Sequence, residues 1–143
     1  MSKSLKPSHV KVLLDIGHPA HEDKFASHSD SSIRAKVAAY SRKKSTLDKL
    51  VKDPDEKVRA NVAARQNIGH LDKLIKDPSE HVRKAVAGYG SPKHAEALLN
   101  DKNEDVRRTA KTSVDFYKRS PNLVKEWDEA GPDEVPNYGE GDL

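Results

Sequence analysis

Leu47, Leu50 and Val51 stand at i, i+3 and i+4 in "LDKLVK", and Leu71, Leu74 and Ile75 repeat that spacing in "LDKLIK", which predicts one short amphipathic helix in each place. A second apolar pair follows each: Val58 and Val62, then Val82 and Val86, stacked one helical turn apart. Between the two patterns, Asp53, Pro54 and Glu56 read as a capping Asp, a Pro at the first helical position and a Glu at the third, a capping box. Asp77-Pro78-Ser79-Glu80 repeats it, and Asp101 with Glu104 keeps it without the Pro. The small residues Ala63, Ala64, Ala87 and Gly88 are expected to let neighbouring units approach closely. Glycine or proline resets the chain at Gly17-His18-Pro19, Gly69 and Gly90-Ser91-Pro92. No segment alternates with period two, so the pattern predicts an all-α chain.

The pattern is periodic. Val58-Arg59 recurs as Val82-Arg83 and Val106-Arg107 at a spacing of 24, and Ile33-Arg34 lies 25 earlier, the extra residue falling in "SRKKST" (41–46). "GHPAHEDKF" (17–25) matches "GSPKHAEAL" (90–98), which makes "HVKVLLDI" (9–16) the second half of a truncated first unit. One such unit cannot bury its apolar face alone, so repeats of this length imply a solenoid. The expectation is about four and a half two-helix repeats in a body at 1–125. Its leading half-repeat is at 9–21 and its C-terminal cap at about 112–127. Val114, Tyr117, Leu123, Val124 and Trp127 would form that cap, broken near Pro121, and shield the last unit.

The unit "DPDEKVRANVAARQN" (53–67) resembles the leucine-rich repeat variant family, and its Asp-x5-Arg element is similar to that of HEAT and armadillo helical repeats. The resemblance covers residues 9 to about 119. It implies a right-handed superhelix, with α-helices in one layer and short, 3₁₀-like helices in the other, and it implies no particular activity. Some relatives carry a cysteine-ligated iron–sulfur segment, which cannot transfer to a chain without cysteine. Longer HEAT-like relatives include DNA glycosylases, whose pocket these residues do not reproduce.

Composition changes the picture in two respects. A hydrophobic share of 34% with 5% aromatics is lean for a layered globule and suits an elongated array of thin cores. The net charge of +3 also conceals an asymmetry: all 26 Lys and Arg lie at or before Lys125, whereas seven of the 23 Asp and Glu follow it. The body therefore carries +10, and the tail at 126–143 carries −7 and is expected to be disordered. Lack of cysteine excludes disulfides and fits a cytoplasmic setting. No apolar run approaches a membrane span, and the start lacks the apolar stretch of a signal peptide.

Candidate chemistry is concentrated on basic and aromatic columns. Arg34, Arg59, Arg83 and Arg107 could contact phosphates. Asp53, Asp77 and Asp101 each stand six residues before an Arg, so the set also reads as a structural ladder of Asp–Arg pairs within or between units. Arg34 has His28 at the Asp position and is the member expected to be free. Tyr40, Arg65 and Tyr89 share a place at the ends of successive second helices, with Lys36, Lys84 and Arg108 nearby. With the loop cations Arg42, Lys43 and Lys44, they would suit an acidic protein surface or a nucleic-acid strand. Solvated side chains are the plainer account. His21, His70 and His94 recur at one repeat position, but layers roughly 9–10 Å apart cannot share a metal ligated at about 2 Å, so solvated histidines are expected.

No glycine-rich phosphate loop, no nucleophile with a spaced base and no carboxylate pair outside the expected caps is present, so no catalytic residue, metal or cofactor is assigned. The expected function is a non-enzymatic module that binds a macromolecular partner, in first place a protein, through a basic face. It would act as an inhibitor or adaptor, with no membrane or small-molecule substrate implied. The alternative is DNA or RNA binding by phosphate contacts on the same face, with the acidic tail as internal competitor. A small glycosylase-like enzyme is a third possibility, with Trp127 as its only Trp.

Overall fold

The computed structural model describes residues 24–131; the half-repeat at 9–21, His21 and the segment 132–143 lie outside the described residues. Described residues form helices and no strand: α1 Ser31–Tyr40, α2 Lys44–Leu50, α3 Glu56–Ala63, α4 Ile68–Leu74, α5 Glu80–Tyr89, α6 Pro92–Ala97, α7 Glu104–Lys118 and α8 Pro121–Glu129. The odd-numbered helices are the second helices of the repeats and α2, α4 and α6 the first. The protein is all-α.

Each second helix starts through a relay of two turns. The Asp53, Asp77 and Asp101 carboxylates accept from the N–H two residues on, at Asp55, Ser79 and Asn103, each at 2.9 Å. Those residues in turn cap the helix, accepting from Lys57, His81 and Asp105 N–H at 2.7, 3.2 and 2.8 Å. The expected capping box at Asp53, Asp77 and Asp101 is therefore corrected. A short carboxylate reaches its own backbone two residues ahead and closes an Asx-turn, so the helix begins two residues later. In the first described repeat His28 Nδ1 takes the carboxylate's place, accepting from Asp30 N–H at 2.9 Å, and Asp30 caps Ser32.

The chain divides into two compact units, with the boundary between Val62 and Ala63. In the first, Ile33 and Val37 of α1, Leu47 and Leu50 of α2, and Val58 and Val62 of α3 are all buried. The Asn61 amide donates 2.9 Å to Ala35 O, tying α3 to α1. In the second, α5 lies along α7, burying Val82, Val86, Val106 and Ala110 with Leu71, Leu74 and Leu98. Burying one such side chain contributes about 1.5–3 kcal/mol. Ser113 Oγ donates to Ala87 O at 2.7 Å and Tyr117 Oη to Gly90 O at 2.8 Å, which fastens the extra turns of α7 to the end of α5.

Two expectations about packing change. Gly88 is exposed, and a methyl there would meet Thr109 Cγ2 at an ordinary 3.5 Å, so close approach does not require a glycine. Gly90 is the position with no room: a Cβ would stand 2.5 Å from Val86 O and 2.8 Å from His94 Cβ. At the C-terminus, the charge boundary assigns residues 126–129 to the tail, but they complete α8, and Trp127 is only 3% exposed. The alternation of Leu123, Val124 and Trp127 with polar residues carries the helix past the charge boundary at Lys125.

Candidate functional site

The arginine column shows one bond at every level. Arg34, Arg59, Arg83 and Arg107 each donate Nη1 to the carbonyl six residues back, on His28, Asp53, Asp77 and Asp101, at 2.7, 2.6, 2.8 and 2.7 Å. Six residues span the turn and the first helical turn, so the guanidinium returns over the turn that opens its own helix and satisfies a carbonyl there. The other edge of the fork reaches forward to the next repeat. Arg34 Nε and Nη2 meet Asp53 Oδ2 and Oδ1 at 2.8 and 3.3 Å, and Arg83 meets Asp101 with the same two distances. These are bidentate, charge-assisted pairs with little solvent around them.

Arg34 is thus not free. Its carboxylate comes from the following unit, so the His at position 28 does not affect it, and Asp53 holds its guanidinium above the ordinary value. Burial pushes the Asp101 carboxyl up, but the Arg83 hydrogen bond, the Asn103 N–H and the Arg83 charge together outweigh it and hold the group below the usual carboxylate range. Arg107 is an incomplete rung. It keeps the carbonyl bond but has no carboxylate partner among the described residues, and it is exposed.

Of the other expected contact residues, Lys36 lies over the Tyr40 ring at 5.7 Å, because i, i+4 positions share a helix face. Lys84 and Tyr89 are five apart on α5 and point apart, both exposed. Tyr40 ends α1 and is 37% exposed; Tyr89 ends α5 and is 50% exposed. Arg42, Lys43 and Lys44 sit in the lengthened junction into α2, where Lys44 pairs with Asp48 at 3.3 Å. Arg65 is half-buried in the turn after α3, beyond the helix end, so it does not reproduce the tyrosine position. The next residue, Gln66, has φ 66°, a left-handed conformation that costs a non-glycine residue about 1–2 kcal/mol. Its amide donates to Tyr89 O at 3.0 Å. Arg108 is engaged by Glu104 and Asp105 of its own first turn, at 3.1 and 3.2 Å. Phe116 on α7, not among the expected residues, is 47% exposed. It lies three residues, less than one turn, beyond Ser113, which the 24-residue spacing aligns with Tyr89.

The expectation of solvated histidines is corrected for His70 and His94, which are 2% and 6% exposed. His94 stands at the third position of α6. Its Nδ1 accepts from Ser91 N–H at 3.2 Å, while Ser91 Oγ accepts from His94 N–H at 3.3 Å. Nδ1 being an acceptor, the ring proton is on Nε2, directed at Asp72 Oδ1 2.7 Å away, and the Ser91 hydroxyl donates to Nδ1 at 2.6 Å. The fold therefore does bring a hydroxyl, an imidazole and a carboxylate together, beside a cavity of about 440 Å³ lined also by Ile68, Ile75, Pro92 and Trp127. The ring lone pair is already shared by the Ser91 N–H, and the serine oxygen caps α6, so the arrangement works as a capping box fastened to α4. Sequence reading missed it because the third position of such a box normally holds Glu or Gln.

Among the described residues no group of three or more His, Asp or Glu side chains is placed to hold a metal ion, and no helix is long and apolar enough to cross a membrane. Comparison with protein-family models, curated proteins and solved structures finds no match to the chain.

Proposed function

We propose that the chain is a non-enzymatic interaction module whose repeats stack as a right-handed α-solenoid of about four and a half 24-residue units, and whose second helices dock a protein partner. The observation that carries this reading is where the exposed rings are. Among the described residues, the exposed large hydrophobics Tyr40, Tyr89 and Phe116 all belong to second helices, and the first helices expose none. Half-exposed aromatics, with Lys36 over the Tyr40 ring, have the character of interface anchors.

The state of the arginines favours a protein over a nucleic acid. Arg34 and Arg83 are engaged inside the fold, which takes from the surface two of the cations a strand of phosphates would use. A photo-crosslinking residue at position 89 should capture a discrete protein partner, and one at Glu96 on α6 should not. Equal capture from both helices would sink the reading. Binding of random DNA or RNA that falls steeply with salt would replace it with the nucleic-acid alternative.

A further inference from the structure

The last rung of the ladder is half built, and the rungs of Arg34 and Arg83 show what completes it. Arg34 and Arg83 each hold a carbonyl six residues back with Nη1 and clamp an Asp carboxylate of the next repeat with Nε and Nη2. Arg107 makes the same first bond through Nη1, at 2.7 Å to Asp101 O, and is exposed, so Nε and Nη2 remain for a further partner. Among the described residues no Asp meets them. Ser120-Pro121 opens α8 as Ser91-Pro92 opens α6, which places Trp127 opposite Leu98 and Ala130 opposite Asp101. The ladder position for the next carboxylate is therefore an alanine.

Nor does α8 close that end. Its Trp127 and Asp128, with Ala130 just beyond it, line a cavity with residues of α4 and α6, and its Val124 lines another with Pro92, Val114 and Tyr117. The outer side of α7 instead keeps an open concavity of about 370 Å³, lined by Leu99, Glu104, Arg107, Arg108 and Lys111. Arg108 is engaged there by Glu104 and Asp105 and Lys111 lies 3.7 Å from Asp115, so Arg107 is the lining cation with no carboxylate among the described residues. No residue of α8 lines this concavity.

We infer that Arg107 and this concavity form a receptor for an aspartate of a partner protein, presented as it is inside the chain: an Asp-x-(Asp, Ser or Asn) turn at the start of a helix. At Asp53 and Asp101 the turn pre-orders the carboxylate, because one oxygen already accepts from the N–H two residues on while Arg takes both. A partner loop of the same form docks with a lower ordering cost than an unstructured one. The site lies at the end of the repeat array, and the inference does not depend on the partner surface proposed for Tyr40 and Tyr89.

The test uses the full chain, ¹⁵N-labelled, and two blocked synthetic peptides: residues 74–85 of this chain, which carry Asp77-Pro78-Ser79, and the same peptide with Asp77→Asn. The Arg107 Nε–H resonance, identified by its loss in Arg107→Lys, should move on titration with the first peptide, and those of Arg34 and Arg83 should not. The Asn peptide should bind at least about tenfold more weakly, since a charge-assisted bond is lost. No shift at millimolar peptide, or equal shifts from both peptides, would overturn the proposal. So would an Arg107 Nε–H already protected in the free chain and released by Asp133→Asn with Glu134→Gln, because the chain's own tail would then be the occupant.

Discussion

Arg83 and Arg107 stand 24 residues apart on neighbouring helices, make the same bond to a carbonyl six residues back, and end in opposite surroundings. Arg83 is 5% exposed and clamps Asp101; Arg107 lies in the open, with no carboxylate among the described residues. The difference is not in the repeat's own sequence, which is the same element in both. It lies in what the following repeat contributes. A rung is shared between two units, and the last one stays half built wherever the next Asp is missing. The inner part of this unit is accordingly filled, and its outer end still has room.

Breaking the inner rung should have the largest effect. Asp101→Ala leaves the Arg83 guanidinium buried without its counter-charge and should cost about 3–5 kcal/mol in urea denaturation. Replacing both partners with apolar residues, Arg83→Met with Asp101→Leu, should recover much of that loss, because neither desolvated charge remains. Failure of the double variant to recover would mean that the rung's hydrogen bonds to the turns outweigh its ion pair.

The same rung should be visible in pH. The Asp101 carboxyl titrates below its unfolded value, so its contribution is complete above roughly pH 4 and is lost as pH falls through the folded-state value. The stability difference between the wild type and Asp101→Asn should shrink on acidification below about pH 4. A difference constant down to about pH 2 would contradict the ion pair.

Glycines sharpen the contrast at smaller scale. Gly90→Ala forces a methyl against a backbone carbonyl and the His94 side chain, and should cost about 1–3 kcal/mol. Gly88→Ala meets only ordinary contact and should stabilise by about 0.5–1 kcal/mol, since helical alanine is favoured over glycine. Thermal melts of the two variants should shift in opposite directions. Arg107→Ala should change stability least, within about 0.5 kcal/mol. A loss comparable with that of Asp101→Ala would show that Arg107 has a carboxylate partner after all, and would close the outer end.

The two-helix rhythm, the buried valines and the six-residue Asp–Arg spacing are local, and each is legible in the order of residues alone. Helical faces follow from i, i+3, i+4 spacing, and the six-residue interval is the arc from a guanidinium back to its own turn. The tertiary structure decided which oxygen each Arg takes from which repeat. An Asp six residues before an Arg offers both a carbonyl and a carboxylate, and sequence cannot tell that the first serves its own Arg and the second the preceding one. It also decided that Arg34 is engaged, that His94 is an interior strut, and that α8 leaves the last rung open. Those outcomes depend on where a neighbouring repeat places its side chains, and no spacing within a single repeat encodes that.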